Sequence, residues 1–350
     1  MRLPSGLTTG IGSLPHADAS AAAETVLSGA VDIPFWPQLP KRDFREWMVP
    51  QYAADLPGFV LEEEARRFRV ERADGFVDEL TAFYERVLDP GAEFPLREDF
   101  AAGWFAFLKH LWATSPRPDF LKGQVTGPLT FVLGINLADG RPIHADEELR
   151  QAGVTLLARN AAWQARRLGE LAGQGALVFM DEPIYSALGT PAYLSVTSEG
   201  MRSAVNEVAA AVRDAGALVG LHCCGNADWE TVLSTDIDVL SFDAWEYAPR
   251  LAIYPAALGA FLERGGVLAW GIVPTGEAIG PADADAVKRR LDEGLAAFEG
   301  RGVPAARLRS QALLTPSCGC GSRTVEETAK VFDLLGAVGR HWKAAVREPR

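Results

Sequence analysis

Short apolar runs alternate with longer amphipathic stretches along most of the chain. Eight of these runs are rich in Val, Ile, Leu and Phe and end close to Gly, Pro, Asp, His or Cys. They lie at residues 6–15, 31–40, 120–128, 175–183, 216–225, 237–245, 265–274 and 312–320. Continuous apolar runs of this length predict strands that are buried on both faces, as the strands of parallel sheets are.

The stretches between the runs mostly predict helices. Residues 145–175 place apolar side chains three to five positions apart and begin with acidic residues, whereas residues 281–300 open with Pro and close with Gly. Eight units of strand and helix predict an α/β fold of the (β/α)8 TIM barrel type. An open doubly wound sheet is the alternative, but no glycine-rich phosphate loop such as GxGxxG follows any run.

The segment between the second and third runs is too long for one helix. Residues 41–118 predict two or three helices, which we interpret as a helical insertion between strands 2 and 3 that caps the barrel. The sequence therefore predicts a single barrel domain over residues 1–350.

Composition narrows the classes of partner. The chain has 350 residues and a net charge of −12, which argues against nucleic acid or an anionic membrane surface as a partner, because both require clustered Lys and Arg. The first residues lack the apolar stretch of a signal peptide. No apolar run reaches the roughly 18 residues that a membrane span requires. We expect a cytoplasmic protein.

All four cysteines fall in two short stretches, "LHCCGN" at 221–226 and "PSCGC" at 316–320. In a reducing compartment, clustered cysteines favour metal binding or catalysis over disulfides. Each stretch ends a predicted strand, where barrel enzymes have their active sites. His222 and Cys224 share one face of their strand, so both can meet Cys318 across the barrel mouth. One imidazole and two thiolates form a ligand set suited to zinc.

A fourth zinc ligand at rest is expected from a neighbouring strand end. Asp243, at the end of the strand predicted by the sixth run, is our choice, and Cys320 is the alternative. A zinc ion with two thiolates and a carboxylate is electron-rich, so it can hold an incoming thiol as a reactive thiolate. This ligand set favours thiol alkylation over hydrolysis, for which zinc sites usually have histidine-rich ligand sets.

These motifs resemble a known family. "HCCGN" followed by "PSCG" resembles the zinc signature of the catalytic domain of cobalamin-independent methionine synthase. It equally resembles the zinc-dependent coenzyme M methyltransferases of the uroporphyrinogen decarboxylase superfamily. Three further stretches resemble methionine synthase: "TTGIGSLP" at 8–15, "VFMDEP" at 178–183 and "DVLSFDA" at 238–244. The resemblance extends from residue 8 to about 325 and rests on the ordered set of motifs.

The resemblance implies a zinc enzyme that transfers a methyl group from a corrinoid or folate carrier to a thiol, with homocysteine giving methionine as the leading case. It implies four zinc ligands: His222, Cys224, Cys318 and Asp243. Asp243 stands where the family has Glu. It also implies that the substrate carboxylate lies against Ile11 and Ser13. The substrate amino group would contact Asp181.

Two departures from the family affect the substrates. The family's HGEPER segment, which supplies a second amino-binding Glu, is replaced by "FWPQLPKRDF" at 35–44, so coenzyme M or another small thiol is an alternative acceptor. The family's long members also have a second, N-terminal barrel that helps to bind folate, whereas this length provides one barrel. This difference favours a corrinoid protein as methyl donor and partner.

Three other functions compete with this one. A decarboxylase acting on a tetrapyrrole needs many basic residues, and few Arg stand at the predicted strand ends. A non-catalytic module that binds a corrinoid or a thiol could keep the zinc site without methyl transfer. Redox chemistry at Cys318 and Cys320 is the third, although a CxC pair is a poorer dithiol than CxxC.

Overall fold

Seven parallel strands form one sheet at the centre of the protein. The computed structural model describes residues 2–193 and 195–347. Its strands, in chain order, are β1 (Leu7–Thr8), β2 (Phe59–Glu62), β3 (Arg67–Val70), β4 (Phe120–Thr126), β5 (Gly175–Asp181), β6 (Leu218–Cys223), β7 (Val239–Phe242), β8 (Val267–Val273) and β9 (Ala312–Pro316). The parallel sheet has the order β1-β9-β8-β7-β6-β5-β4, and β2 pairs with β3 as an antiparallel hairpin.

Helices follow most strands and cover the outside of the sheet. In the described ranges they are α1 (Ala19–Thr25), α2 (Phe76–Leu88), α3 (Ala102–Trp112), α4 (Pro128–Gly134), α5 (Glu147–Leu171), α6 (Ser198–Asp214), α7 (Trp229–Leu233), α8 (Ala244–Leu251), α9 (Pro255–Glu263), α10 (Ala284–Glu299), α11 (Ala305–Ser310) and α12 (Val325–Arg347). The helices predicted over 145–175 and 281–300 are α5 and α10. None of the helices described here has the length and apolarity needed to cross a membrane.

The second predicted strand is irregular. Residues 31–39 are extended and lie between the two edges of the sheet, joined to both by isolated parallel bridges: Thr9–Ile33, Ser13–Gln38 and Phe35–Lys122. Pro34 and Pro37 have no N–H to donate, so a continuous ladder cannot form along this segment. The sheet therefore curls, and the arrangement is consistent with a TIM-like barrel of seven regular strands and one irregular segment.

The apolar core has two parts, one inside the curled sheet and one between the sheet and the helices that cover it. The inner cluster consists of inward-facing side chains of the strands and their flanks: Leu3, Ile33, Phe120, Leu177, Phe179, Val239, Ala269 and Leu313. The larger outer cluster lies between strands and helices and includes Val178 and Met180. Alternate residues of one strand thus serve two cores, which is why the runs are continuously apolar. The inner cluster fills the barrel beneath the carboxyl ends of the strands.

The insertion at 41–118 contains α2 and α3, as predicted, and also the β2–β3 hairpin, which the sequence did not predict. Its strands have four residues each, and "RFRV" mixes charged and apolar residues, so the alternation is too short to stand out. Phe76, Phe83 and Trp104 of the insertion belong to the outer cluster. The prediction of a single domain over 1–350 stays a prediction, and residues 1, 194 and 348–350 lie outside the described residues.

Candidate metal centre

Three predicted ligands meet at the carboxyl ends of the strands. His222 belongs to β6, Cys224 follows it, and Cys318 lies two residues after β9. One ligand atom from each residue lies within 4.8 Å of the other two. Two strands separate β6 from β9 in the sheet, so the curl of the sheet brings the three residues together. The group could hold a metal ion.

The His222 ring is oriented by its neighbour on β7. Its Nδ1 lies 2.9 Å from the Ser241 hydroxyl, and the two residues are register partners across the strands. Its Nε2 is buried and has no hydrogen-bond partner within the described residues. A buried polar atom without a hydrogen-bond partner destabilises the folded protein unless a ligand provides that partner. The unpaired nitrogen is the observation that best fits a bound metal ion.

The thiols of the candidate ligands Cys224 and Cys318 lie close enough to influence each other's ionisation. A hydrogen bond from Cys318 and the nearness of His222 lower the pKa of Cys224 despite its burial. The same hydrogen bond and burial raise the pKa of Cys318. For the pair, the first proton is therefore lost easily, and the second is retained while no cation balances the added charge. A divalent cation would supply that balance, and its binding would release the proton.

The other two cysteines point away from this group. Cys223 and Cys320 are buried in the outer apolar cluster, as strand alternation predicts for Cys223. Burial raises the pKa of each thiol to about 12. Both side chains therefore pack as neutral thiols.

Asp243 lies close to the group without joining it. Its Oδ1 accepts a hydrogen bond from the Glu246 N–H at 2.9 Å, which caps the N-terminus of α8. Burial raises the pKa of this carboxyl to about 7, against the opposing effect of nearby His222. Its oxygens are outside the set of atoms within 4.8 Å of one another. The assignment of Asp243 as a metal ligand stays a prediction.

Asp181 stands beside the candidate metal ligands. It ends β5 and pairs in register with His222. Its Oδ1 is buried and has no hydrogen-bond partner in the described residues. Burial raises the pKa of this carboxyl to about 6, while nearby His222 and Lys122 lower it. A buried carboxylate with an unpaired oxygen is suited to a cationic donor such as an ammonium group.

The predicted carboxylate site lies where the segment after β1 passes the end of β9. The Thr9 N–H donates to the Leu314 carbonyl at 3.1 Å, but β9 ends two residues later at Pro316. Beyond that point, neither the Ile11 nor the Ser13 N–H donates a hydrogen bond within the described part of the chain. Two backbone donors are thus available for an anion, and their role in substrate binding stays a prediction.

One buried cation was missed by the sequence analysis. Lys122 of β4 is 1% exposed, and its ammonium donates to the Ile11 carbonyl and to Gln124 Oε1. The ammonium lies 4.9 Å from the Phe179 ring centroid, at the top of the inner apolar cluster. Burial lowers the pKa of Lys122 to about 8, and Asp181 opposes this change. A signal was present in the sequence, because "FLKGQVT" places Lys and Gln on one face of a buried strand.

The neighbouring Glu182 has a structural role. It is fully buried, and its carboxylate accepts hydrogen bonds from the Leu129 and Thr130 N–H groups and the Thr130 hydroxyl at 2.7–3.0 Å. Burial raises the pKa of this carboxyl to about 7. Because that pKa lies above the ordinary value of 4.5, the stabilisation from protonated Glu182 is complete below pH 4.5 and is lost as the pH rises through 7.

This titration predicts how stability depends on pH. Between pH 5 and 8, the unfolding free energy of the zinc-free protein should fall by on the order of 2 kcal/mol more in the wild type than in Glu182→Gln. Urea unfolding at each pH measures the difference. The exposed Glu199→Gln on α6 is the matched control and should follow the wild type. Parallel pH profiles for wild type and Glu182→Gln would contradict the prediction.

Comparison with known proteins identifies the fold. No family model and no curated protein matches the sequence. A methyltransferase from Methanosarcina mazei has a similar structure, with a TM-score of 0.56 and 15% identity over 97% of this chain and 94% of that chain. A B12-independent methionine synthase from Shewanella sp. W3-18-1 matches with a TM-score of 0.47 and 13% identity over 69% of this chain. The match covers 65% of the synthase, so this chain spans less than two thirds of it. The fold thus has a solved counterpart, while the family stays a prediction.

Proposed function

We propose that this protein is a zinc-dependent methyltransferase that moves a methyl group from a corrinoid or folate carrier to a small thiol. Homocysteine, which would become methionine, is the first acceptor to test. The observation that carries the proposal is the convergence of His222, Cys224 and Cys318 at the carboxyl ends of parallel strands. The solved Methanosarcina mazei protein of similar fold is a methyltransferase, which supports this reaction class.

Zinc fits the donor set of this chain. One imidazole with an unpaired, buried Nε2 and two adjacent thiols are borderline-soft ligands, which zinc prefers over calcium or magnesium. When bound, zinc lowers the pKa of a thiol that coordinates it and so keeps the thiol sulfur nucleophilic near neutral pH. The hydrogen bond between His222 Nδ1 and the Ser241 hydroxyl fixes the orientation of His222 for this role, with Nδ1–H as the donor when Nε2 binds the metal.

The remaining residues bind and orient an amino-acid thiol. The unpaired Asp181 Oδ1 receives the ammonium group, and the Ile11 and Ser13 N–H groups receive the carboxylate. Coenzyme M has no ammonium group to pair with Asp181, so it lacks this contact. The inner apolar cluster excludes water from below, so a bound thiol meets its methyl donor in a fixed orientation from the open side of the site.

Asp243 is our choice for the fourth ligand at rest, to be displaced by the substrate. Asp243→Ser removes the carboxylate but keeps an oxygen that can cap α8. We expect the Kd for Zn²⁺ to rise about tenfold with little change in unfolding free energy. Cys320→Ser, the control for the alternative ligand, should leave the Kd unchanged. An affinity loss in Cys320→Ser alone would instead make Cys320 the fourth ligand.

A methyl-transfer assay with isotope-labelled donors tests the proposed reaction. The zinc-loaded protein is incubated with homocysteine and methyl-labelled cobalamin, a methylated corrinoid protein or methyl-folate, and labelled methionine is measured by mass spectrometry. The methyl group moves to sulfur, the thiol proton is released, and the carrier keeps the electron pair of the broken bond. A corrinoid protein is the proposed partner, and binding to one can be measured by pull-down. Bound zinc with no transfer from any donor would favour a non-catalytic zinc module.

A further inference from the structure

The segment that carries Cys318 is held at both ends. We define residues 317–321, "SCGCG", as the ligand loop. At its start, the Ser317 N–H donates to the Val273 carbonyl at 2.8 Å, and its hydroxyl lies 3.2 Å from that of Thr275. At its end, two backbone N–H groups donate to Ser13: Cys320 N to the carbonyl at 2.9 Å and Gly321 N to Oγ at 3.2 Å. Cys318 therefore lies between two fixed points.

Two glycines allow the ligand loop to approach Ser13 so closely. A Cβ atom on Gly319 would lie 2.1 Å from Ser13 Oγ, and one on Gly321 would lie 2.8 Å from Pro40 Cγ and 3.0 Å from Ser13 Oγ. The first separation is far below van der Waals contact, so a side chain at 319 would force the loop and Ser13 apart. Gly319 thus provides room for Ser13, and Gly321 provides room for Pro40 and Ser13.

Ser13 is itself firmly anchored. The residues on either side of it form backbone hydrogen bonds with Gln38. The Gln38 N–H donates to the Gly12 carbonyl at 3.0 Å, and the Leu14 N–H donates to the Gln38 carbonyl at 2.8 Å. Gln38 is buried, and its Nε2 donates to Gln51 and to the Glu46 carbonyl. The backbone of Ser13 cannot shift without disturbing this network. It is therefore a rigid support for the ligand loop.

We propose that Ser13 is a positioning residue for the metal ligand Cys318, because its carbonyl and hydroxyl oxygens clamp the ligand loop while its N–H remains available to substrate. The inference rests on the proposed metal site and deepens it. A loop already held in place loses less conformational entropy when its cysteine binds metal. The serine hydroxyl thus serves the metal ligand, and the backbone N–H of the same residue serves the substrate.

A double-mutant cycle on Zn²⁺ affinity tests the clamp. The Kd for Zn²⁺ is measured by competition with a chromophoric chelator on wild type, Ser13→Ala, Gly319→Ala and the double variant. Ser13→Ala should raise the Kd about fivefold, and Gly319→Ala should raise it more than tenfold. In the double variant the clashing oxygen is gone, and the next contact of the added Cβ, with the Cβ of residue 13, is 3.4 Å. The double variant should therefore bind Zn²⁺ about as well as Ser13→Ala alone.

One further readout separates the clamp from general destabilisation. The melting temperature of the zinc-free protein should fall by no more than about 2 °C in Ser13→Ala, the size expected for one lost hydrogen bond, so unfolding does not account for the loss of Zn²⁺ affinity. Exposed Ser310→Ala, at the opposite end of β9, is the control and should match wild type throughout. A Kd for Zn²⁺ unchanged by Ser13→Ala, or additive effects in the double variant, would overturn the clamp alone. A wild type with no affinity for Zn²⁺ would overturn both the clamp and the proposed function.

Discussion

Replacing Cys318 with serine is expected to reduce the zinc content of the purified protein from about one ion per chain to less than about a tenth of that. A serine hydroxyl is not ionised near neutral pH and is a poor zinc ligand, so the change removes one of the two sulfur donors. We expect the Kd for Zn²⁺ to rise on the order of a thousandfold, because only two members of the described ligand group, His222 and Cys224, remain beside the proposed ligand Asp243. Metal analysis and chelator competition measure both quantities.

Cys320→Ser is the matched control for this change. It alters the same residue type two positions away, but its thiol lies in the outer apolar cluster and outside the ligand group. Zinc content should stay near one per chain in this variant. The zinc-edge absorption spectrum of the wild type should show one more sulfur atom bound to zinc after homocysteine is added. Equal zinc contents in Cys318→Ser and wild type would remove the basis for the proposed function.

Asp181→Asn is expected to raise the Kd of homocysteine for the zinc-saturated protein about 100-fold. The Asp181 Oδ1 is buried and has no partner within the described residues, and Asp181 lies beside His222, a candidate metal ligand. An ammonium group bound there would lose an ionic hydrogen bond, and the neutral amide would leave the cation poorly compensated. Calorimetric titration with homocysteine measures the change.

A second thiol makes this prediction specific for the amino group. The compound 4-mercaptobutyrate is homocysteine without its ammonium group, so its affinity should change less than threefold in Asp181→Asn. Exposed Asp214→Asn, at the end of α6, is the control variant and should bind both thiols as the wild type does. Equal losses for the two thiols would assign Asp181 to the metal site rather than to the substrate amino group.

Much of the fold was predictable because it depends on local patterns. Runs such as "GALVFMD" are apolar on both faces, because a strand that lies between two cores must bury both of its faces. The seven regular strands therefore lie close to their predicted positions. Prolines in "IPFWPQLP" interrupt the ladder, and that irregularity was readable in the sequence, although the bridges to both sheet edges were not. The β2–β3 hairpin was missed because four-residue strands carry too little periodicity.

The candidate site divides in a similar way. The trio of His222, Cys224 and Cys318 could be predicted because each residue stands at the end of an apolar run, and parallel strands end at one edge. The clamp of Ser13 on the ligand loop depends on separations of about 3 Å between segments at opposite ends of the chain. No local pattern encodes such a distance.

The sequence by itself determined which chemical groups are available and on which face of each strand they stand, because strand alternation and strand ends are local properties. The tertiary structure decided how those groups face one another. It curled the sheet so that β6 meets the loop after β9, left the Nε2 of His222 unpaired, and buried Lys122 beneath Asp181. These relations depend on the packing of distant strands against one shared core, and this packing is a property of the whole chain.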